Sequence, residues 1–161
     1  MNSLKKRTQQ GFTIIELLIV IVVIGILAAL VITTYSGIQK KGRDTERTTD
    51  LKALQGQLEA YYAQNGRYPA ESDLGTTSAT NLTFIAASMK GLDKEALRDP
   101  KAGATDFGLA AAPGANKYSY EATGDATGST CDNGAGGDCT KYILTARPEG
   151  AGPDIVSNSL N

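Results

Sequence analysis

The chain has 161 residues, and its 16 basic and 17 acidic residues leave a formal charge of −1. This balance argues against a dedicated nucleic-acid binder, which normally carries a basic face. The chain contains no histidine, the commonest general base and metal ligand, and its sequence shows no catalytic constellation, so we expect neither enzyme activity nor a cofactor.

A long apolar segment begins near the N-terminus. Residues 12–32 would form about 31 Å of helix at 1.5 Å per residue, which matches the ~30 Å hydrocarbon core of a bilayer. Glu16 lies four residues into this segment, and an ionised glutamate at the bilayer centre costs about 2.5 to 3.5 kcal/mol on insertion scales. A membrane anchor alone does not need this residue. The sequence therefore predicts a functional role for Glu16.

A short basic leader precedes the apolar segment. Lys5, Lys6 and Arg7 have no acidic neighbour, and Gly11 is a small residue at which a peptidase could cut. Basic residues before the segment predict a cytoplasmic N-terminus and export of the chain that follows. Three cations beyond the segment weaken this prediction slightly: Lys40, Lys41 and Arg43.

Two simpler interpretations of the N-terminus explain less. A secretory signal has an apolar core of roughly 7 to 15 residues, whereas the unbroken apolar run at residues 17–32 has sixteen. A plain signal anchor accounts for the length of the segment. It accounts for neither Glu16 nor Gly11.

Residues 11–16, Gly-Phe-Thr-Ile-Ile-Glu, follow a basic leader and open an apolar helix, and this arrangement resembles the N-terminus of the type IV prepilin family. The resemblance implies that the leader, residues 1–11, is cut after Gly11 and that Phe12 is N-methylated. It also implies that Glu16 serves assembly by pairing with the N-terminal amine of Phe12 on a neighbouring subunit. Pilins usually carry a proline where Thr33 stands, so this chain departs from the pattern there.

The second half of the predicted helix, residues 33–65, is amphipathic. Its apolar side chains recur at offsets of 0, 3, 7, 10 and 11, which places them on one face of a helix of 3.6 residues per turn. They are Leu51, Leu54, Leu58, Tyr61 and Tyr62. Gly37 and Gly42 allow local softening, and Asn65 followed by Gly66 is a stop signal. We therefore predict one helix over residues 12–65, as the resemblance to pilins also implies.

The remaining residues, 66–161, are sufficient for one small core but not for two domains. Gly66-Arg67-Tyr68-Pro69 is a turn, and the same run after a helix occurs in many pilins and major pseudopilins. Short helices are predicted over 82–89 and 93–98, and strands over 117–121 and 141–145, with a further edge at 154–157. The predicted fold is α+β, with a small antiparallel sheet packed on the helix.

Cys131 and Cys139 are the only cysteines and both lie in the exported part, so they are best interpreted as one disulfide closing the loop 131–139. A redox-active pair is a weaker interpretation because the spacing is not Cys-x-x-Cys. Asp132, Asn133 and Asp138 are weak candidates for Ca²⁺ ligands, since the same residue types are common in any exposed turn.

The sequence favours a type IV pilus subunit that is held in the cytoplasmic membrane and then polymerises with copies of itself into an extracellular filament. Its expected partners are a prepilin peptidase and the pilus assembly machinery, with no specific nucleic acid. A type II secretion pseudopilin is the second hypothesis and a competence-type DNA-uptake pilin the third. A monomeric membrane-anchored binding domain is the alternative from a different class.

Overall fold

The computed structural model describes residues 11–75, 79–124, 131–134 and 136–161; the basic leader residues 1–10 lie outside this set. The helices are α1 (Ile14–Asn65), α2 (Glu71–Leu74), α3 (Ala79–Ser88) and a 3₁₀ helix (Lys94–Leu97). The strands are β1 (Tyr118–Thr123), β2 (Lys141–Ala146) and β3 (Ile155–Asn158). They form one antiparallel sheet in the order β1-β2-β3. The predicted α+β fold is confirmed.

The chain divides into two compact units, residues 1–39 and 40–161. In the described part of the first unit, the large apolar side chains from Leu17 to Ile32 are 48 to 69% exposed. Among the described residues, α1 is the one helix long and apolar enough to cross a membrane, a test that a signal sequence near the N-terminus also passes. The apolar side chains of this unit are therefore exposed among the residues that the structure describes.

The helix α1 runs without interruption through residues 33–42 and ends at Asn65. Gly66 adopts a φ of +71°, a left-handed conformation that favours glycine, and its N–H donates to the carbonyl of Tyr62 at 2.7 Å. The side chain of Asn65 donates to the carbonyl of Tyr61 at 2.9 Å. The predicted stop signal therefore ends the helix where the sequence places it.

The head, residues 40–161, is built around one face of α1. Leu51, Leu54 and Leu58 are buried, as the helical period predicts. The sheet contributes inward-facing side chains that alternate along β1 and β2 and are also buried: Tyr118, Tyr120, Tyr142 and Leu144. Burying a leucine fully stabilises a fold by about 1.5 to 3 kcal/mol, so this apolar face supplies the main driving force for docking the sheet.

Two carboxylates of α1 accept hydrogen bonds at the edge of this core. Glu59 accepts hydrogen bonds from the hydroxyls of Tyr68 and Tyr142, both at 2.9 Å. Asp50 accepts one from the hydroxyl of Tyr118 at 2.7 Å. Burial raises the pKa of Tyr68 to about 12, so its hydroxyl is a protonated donor at neutral pH. At about 100° per residue, Asp50 and Glu59 lie on either side of the leucine face of α1, so both side chains reach the sheet.

An ion pair inside the head joins α1 to the segment after the 3₁₀ helix. The side chain of Arg47 is completely buried, and its guanidinium donates to both oxygens of Asp99, Nε to Oδ2 at 2.6 Å and Nη2 to Oδ1 at 2.9 Å. Arg47 Nη1 also donates to Asp44 Oδ1 at 2.6 Å. Nothing in the local sequence pattern indicates this pair, because the fold brings residues 52 positions apart together in the core.

A second ion pair lies next to Arg47. Arg43 donates two hydrogen bonds to the carboxylate of Glu149, including one from Nη2 at 2.8 Å. Lys101 Nζ lies 3.4 Å from the same carboxylate, and Arg47 Nη1 lies 3.5 Å from it. The bonds from Arg43 lower the pKa of Glu149 to about 2. Three cations therefore fix the segment after β2 against the start of the head.

Among the described helices, α2 has no counterpart in the sequence-based prediction. Asp73 bends back to accept a hydrogen bond from the backbone N–H of Ala70 at 3.0 Å. This bond stabilises one helical turn, and Leu74 enters the core. A four-residue helix is too short to leave an apolar period in the sequence.

We predict that Arg47→Met destabilises the head by about 3 to 5 kcal/mol, because it leaves Asp99 charged and buried without its partner. Thermal unfolding of the detergent-solubilised full chain, followed by near-UV circular dichroism of the tyrosines, measures the effect. Lys52→Met on the exposed side of the same helix is the control and should change stability by about 0.5 kcal/mol or less. Adding Asp99→Asn to Arg47→Met should recover part of the loss. If Arg47→Met lowers the stability of the head by less than about 1 kcal/mol, the prediction that this ion pair is important for folding is wrong.

We also predict a pH-dependent contribution from Glu149. Its pKa is lower in the folded chain than in the unfolded chain, so it stabilises the head fully above about pH 4.5 and loses this effect as the pH falls towards 2. Glu149→Gln should therefore cost about 1 to 3 kcal/mol at pH 7 and little at pH 2. Urea unfolding across this pH range tests the prediction, with Glu46→Gln, which changes an exposed carboxylate on α1, as control. A difference that does not vary with pH would refute it.

Candidate processing and assembly site

The predicted cleavage position is accessible. Gly11 and Phe12 precede the first turn of α1, and the Phe12 side chain is 89% exposed. A Cβ atom added at Gly11 would meet no heavy atom within 4 Å. Since nothing in the described chain covers the bond between these residues, a peptidase could reach it. The preference for a small residue at position 11 would then come from the peptidase and not from folding.

Glu16 closes a capping box at the start of α1. Its carboxylate Oε2 accepts hydrogen bonds from the backbone N–H of Thr13 at 2.8 Å and from the Thr13 hydroxyl at 2.7 Å. In return the backbone N–H of Glu16 donates to Thr13 Oγ1 at 3.2 Å. These bonds satisfy two of the N–H groups that a helix start leaves without partners. The carboxylate is therefore partnered within the single subunit.

The structure places Phe12 and Glu16 within one turn of each other but pairs Glu16 with Thr13. While the leader is attached, the nitrogen of Phe12 belongs to the peptide bond with Gly11 and carries no charge. The partner that the resemblance assigns to Glu16 is an amine, which exists only after cleavage. The uncut chain thus holds the carboxylate through its own hydrogen bonds.

Thr13 is a site residue that the sequence interpretation missed. Thr13 and Glu16 stand in the spacing Thr-x-x-Glu directly before an apolar helical run, which is the known signature of a capping box. This signal could have been found from the sequence. A charge inside an apolar segment draws attention to Glu16 alone, whereas the capping box also needs Thr13.

The disulfide loop forms a separate feature of the head. Cys131 and Cys139 are bonded, and no described cysteine is free. Closing a nine-residue loop contributes about 2.6 kcal/mol on the chain-entropy estimate. Cys139 is buried, and its carbonyl accepts a hydrogen bond from the N–H of Tyr68 at 2.7 Å. The loop is thereby attached to the turn that follows α1.

The three weak candidates for calcium ligands hold this loop together. Asp132 Oδ1 accepts hydrogen bonds from two glycine N–H groups of the loop at 2.8 and 2.7 Å, and these bonds lower the pKa of its carboxyl. Asn133 Oδ1 accepts from the N–H of Cys139 at 3.0 Å, and Asp138 pairs with Arg67 at 3.1 Å. In the described part of the chain, no group of three or more acidic, cysteine or histidine residues could hold a metal ion.

The N-terminus matches a known family model. Residues 6–32 match the prokaryotic N-terminal methylation motif. The match covers the end of the leader, the cleavage position, the Thr13–Glu16 capping box and the apolar half of α1. No solved structure matches the chain significantly.

Several curated proteins are similar to part of the chain. The type II secretion system core protein G of Dickeya chrysanthemi is 41% identical over 71 residues, which cover 44% of this chain and 46% of that protein. The protein of the same name from Aeromonas hydrophila is 41% identical over 66 residues, covering 41% and 46% of the two chains. That from Klebsiella pneumoniae is 43% identical over 61 residues, covering 38% and 44%. The chain spans about half the length of the curated relatives it matches.

Proposed function

Because the chain belongs, by its N-terminal motif and its similarity to core protein G, to the type IV pilin-like superfamily, we propose that it is a structural subunit of a type II secretion pseudopilus. The observation that carries this proposal is the identity of about 40% to core protein G of type II secretion systems in several bacteria. The sequence alone favours a pilus subunit and has the pseudopilin as its second hypothesis. The similarity to the secretion proteins supports the second hypothesis better.

The exposed half of α1 supports polymerisation. A contact repeated by a rotation and a rise produces an open helical polymer, in which apolar helices can cover one another. Transfer from lipid into such a core gains little hydrophobic energy, because lipid tails are as apolar as the side chains. Packing and polar contacts must therefore decide between membrane and filament. Gly25, Ala28 and Ala29 are small residues that would allow close helix contacts.

Glu16 is the polar group in this segment best placed to favour the filament over the membrane-embedded state. We propose that the amine created at Phe12 pairs with Glu16 of a neighbouring subunit. A charge pair in an apolar core fixes register more surely than it adds net stability. A subunit shifted along the polymer would leave both charges unpaired at high cost. Cleavage of the leader would thereby make the subunit competent for assembly.

The same proposal covers location, partners and the nature of the activity. The subunit would wait in the cytoplasmic membrane with its N-terminus inside, be cut by a prepilin peptidase and join a filament outside that membrane. Its activity would be structural and not enzymatic. An extracellular type IV pilus uses the same architecture and is the second candidate, favoured by the same N-terminal motif.

We predict that Gly11→Val prevents removal of the leader, because the peptidase should require a small residue before the bond it cuts. Intact-mass measurement of the membrane-extracted protein should show a chain that begins at Phe12 for the wild type and retains residues 1–11 for the variant. Gly11→Ala is the matched control, and we expect it to be cut. A wild-type protein that retains its leader in an assembling strain would refute the proposed processing.

We predict that Glu16→Ala reduces filament incorporation about a hundredfold or more, because an unpartnered amine in the apolar core costs about 3 to 5 kcal/mol at each contact. Glu16→Gln separates the two roles of this side chain, since glutamine preserves the capping box but removes the charge. We expect Glu16→Gln to assemble as poorly as Glu16→Ala. The amount of subunit in sheared or crosslinked filaments, relative to the membrane fraction, measures assembly.

Normal assembly of Glu16→Gln would assign the residue to helix capping and reject the charge pair. The secretion function is read out in the same strains, as the amount of exported enzyme in the culture medium. Loss of secretion together with retained surface pili supports the pseudopilus. Normal secretion with lost surface pili would favour the pilus instead.

A further inference from the structure

A groove of about 340 Å³ at the start of the head gathers cations from three separate parts of the chain. Lys40 comes from α1, Lys101 from the segment after the 3₁₀ helix, and Arg147 from the residue after β2. All three side chains are exposed. The leader holds three of the 16 basic residues and none of the 17 acidic ones, so the rest of the chain is acidic by four charges. The groove is locally basic, although the chain after the leader is acidic overall.

The single carboxylate in the groove is already engaged. Glu149 binds Arg43 through two hydrogen bonds and lies within 4 Å of Arg47 and Lys101. Arg147 makes one exposed contact, with Asp154 at 3.3 Å. Lys40 has no ion pair in the described residues. The cations therefore exceed the negative charge available to them within the groove.

A second groove shares Pro148 with the first and extends the basic surface. It is lined by Lys41 and Lys52, together with Asp44. Asp44 is occupied as well, because its Oδ1 accepts from Arg47 Nη1 at 2.6 Å and from the backbone N–H of Glu149 at 3.1 Å. The two grooves present five exposed cations on either side of one proline, and the acids among them are held by buried or half-buried arginines.

The sequence places this surface close to a membrane. Lys40 follows the last residue of the apolar segment, Ile32, by eight positions, which limits their separation to about 28 Å even in a fully extended chain. Cations on the outward side of a membrane segment oppose the usual distribution of positive charge, so their presence calls for a local function. Anionic headgroups provide one, since each Lys or Arg near an anionic bilayer surface is attracted by it.

We propose that the groove lined by Lys40, Lys101 and Arg147 binds the headgroup phosphates of anionic phospholipids. This surface holds the head against the bilayer before the subunit leaves the membrane. The proposal rests only on the anchored state described above and not on polymerisation. Its test therefore remains informative for a chain that does not assemble.

The test uses the full chain in lipid nanodiscs and measures lysine acetylation by mass spectrometry. Discs of phosphatidylcholine are compared with discs in which about a third of the lipid is phosphatidylglycerol. We expect the labelling rates of Lys40 and Lys101 to fall about fivefold in the anionic discs and to recover at about 1 M salt. Lys141, exposed at the start of β2, is the internal reference and should keep its rate.

Two pairs of substitutions test the groove itself. Lys101→Gln with Arg147→Gln should abolish the protection of Lys40 in anionic discs. Lys141→Gln with Lys94→Gln removes the same charge elsewhere on the head and should leave that protection intact. Near-UV circular dichroism of both variants checks that the tyrosine core is folded. Protection of Lys40 that persists without Lys101 and Arg147 would overturn the proposal.

Four further outcomes would also overturn it. Equal labelling in both kinds of disc excludes lipid binding, and an equal fall at Lys141 shows a diffuse attraction instead of a site. Protection in phosphatidylcholine discs on addition of inorganic phosphate identifies a free anion as the ligand. Protection that depends on the number of subunits per disc assigns the groove to a second copy of the chain.

Discussion

The apolar surface of α1 must be covered, and among the described residues only the part in the head is buried. In the head, Leu51, Leu54 and Leu58 are buried under the sheet. From Leu17 to Ile32, the large apolar side chains are 48 to 69% exposed. An amphipathic helix can be stabilised by its own domain, but a helix that is apolar all round needs lipid or other apolar helices. The head thus has a buried apolar core of its own, whereas the apolar side chains of the N-terminal segment need partners from outside.

Polar groups determine how the head is fixed to its helix. The leucine face is nondirectional, because apolar burial depends on area and not on angle. The hydrogen bonds that three tyrosine hydroxyls donate to Glu59 and Asp50, and the bidentate pair of Arg47 with Asp99, have strict geometry. Such buried groups are costly unless every partner is in place. They therefore favour one docking of sheet on helix over others that would bury similar area.

A single carboxylate gives the N-terminal segment a similar constraint. Glu16 is satisfied by Thr13 in the uncut chain, so the segment can be helical and inserted before processing. An amine at Phe12 would offer a stronger, charged partner. The basic grooves beside Pro148 present a second set of charges. In both regions, the proposed function follows from charges whose partners lie outside the single chain.

The sequence by itself determined the features that depend on local pattern. The helical period identified the leucine face, Asn65 and Gly66 marked the end of α1, and the β-forming runs located the strands to within one or two residues. The N-terminal methylation motif at residues 6–32 can likewise be identified from the sequence, because its residues are contiguous. Only the tertiary structure decided that Arg47 pairs with Asp99, Glu59 with Tyr142 and Glu149 with Arg43. These partners lie 52, 83 and 106 positions apart in the sequence. Sequence periodicity contains no information on contacts between residues so far apart. The sequence pattern therefore could not show that Arg47 and Asp99 are buried, or that Glu149 is bound by Arg43.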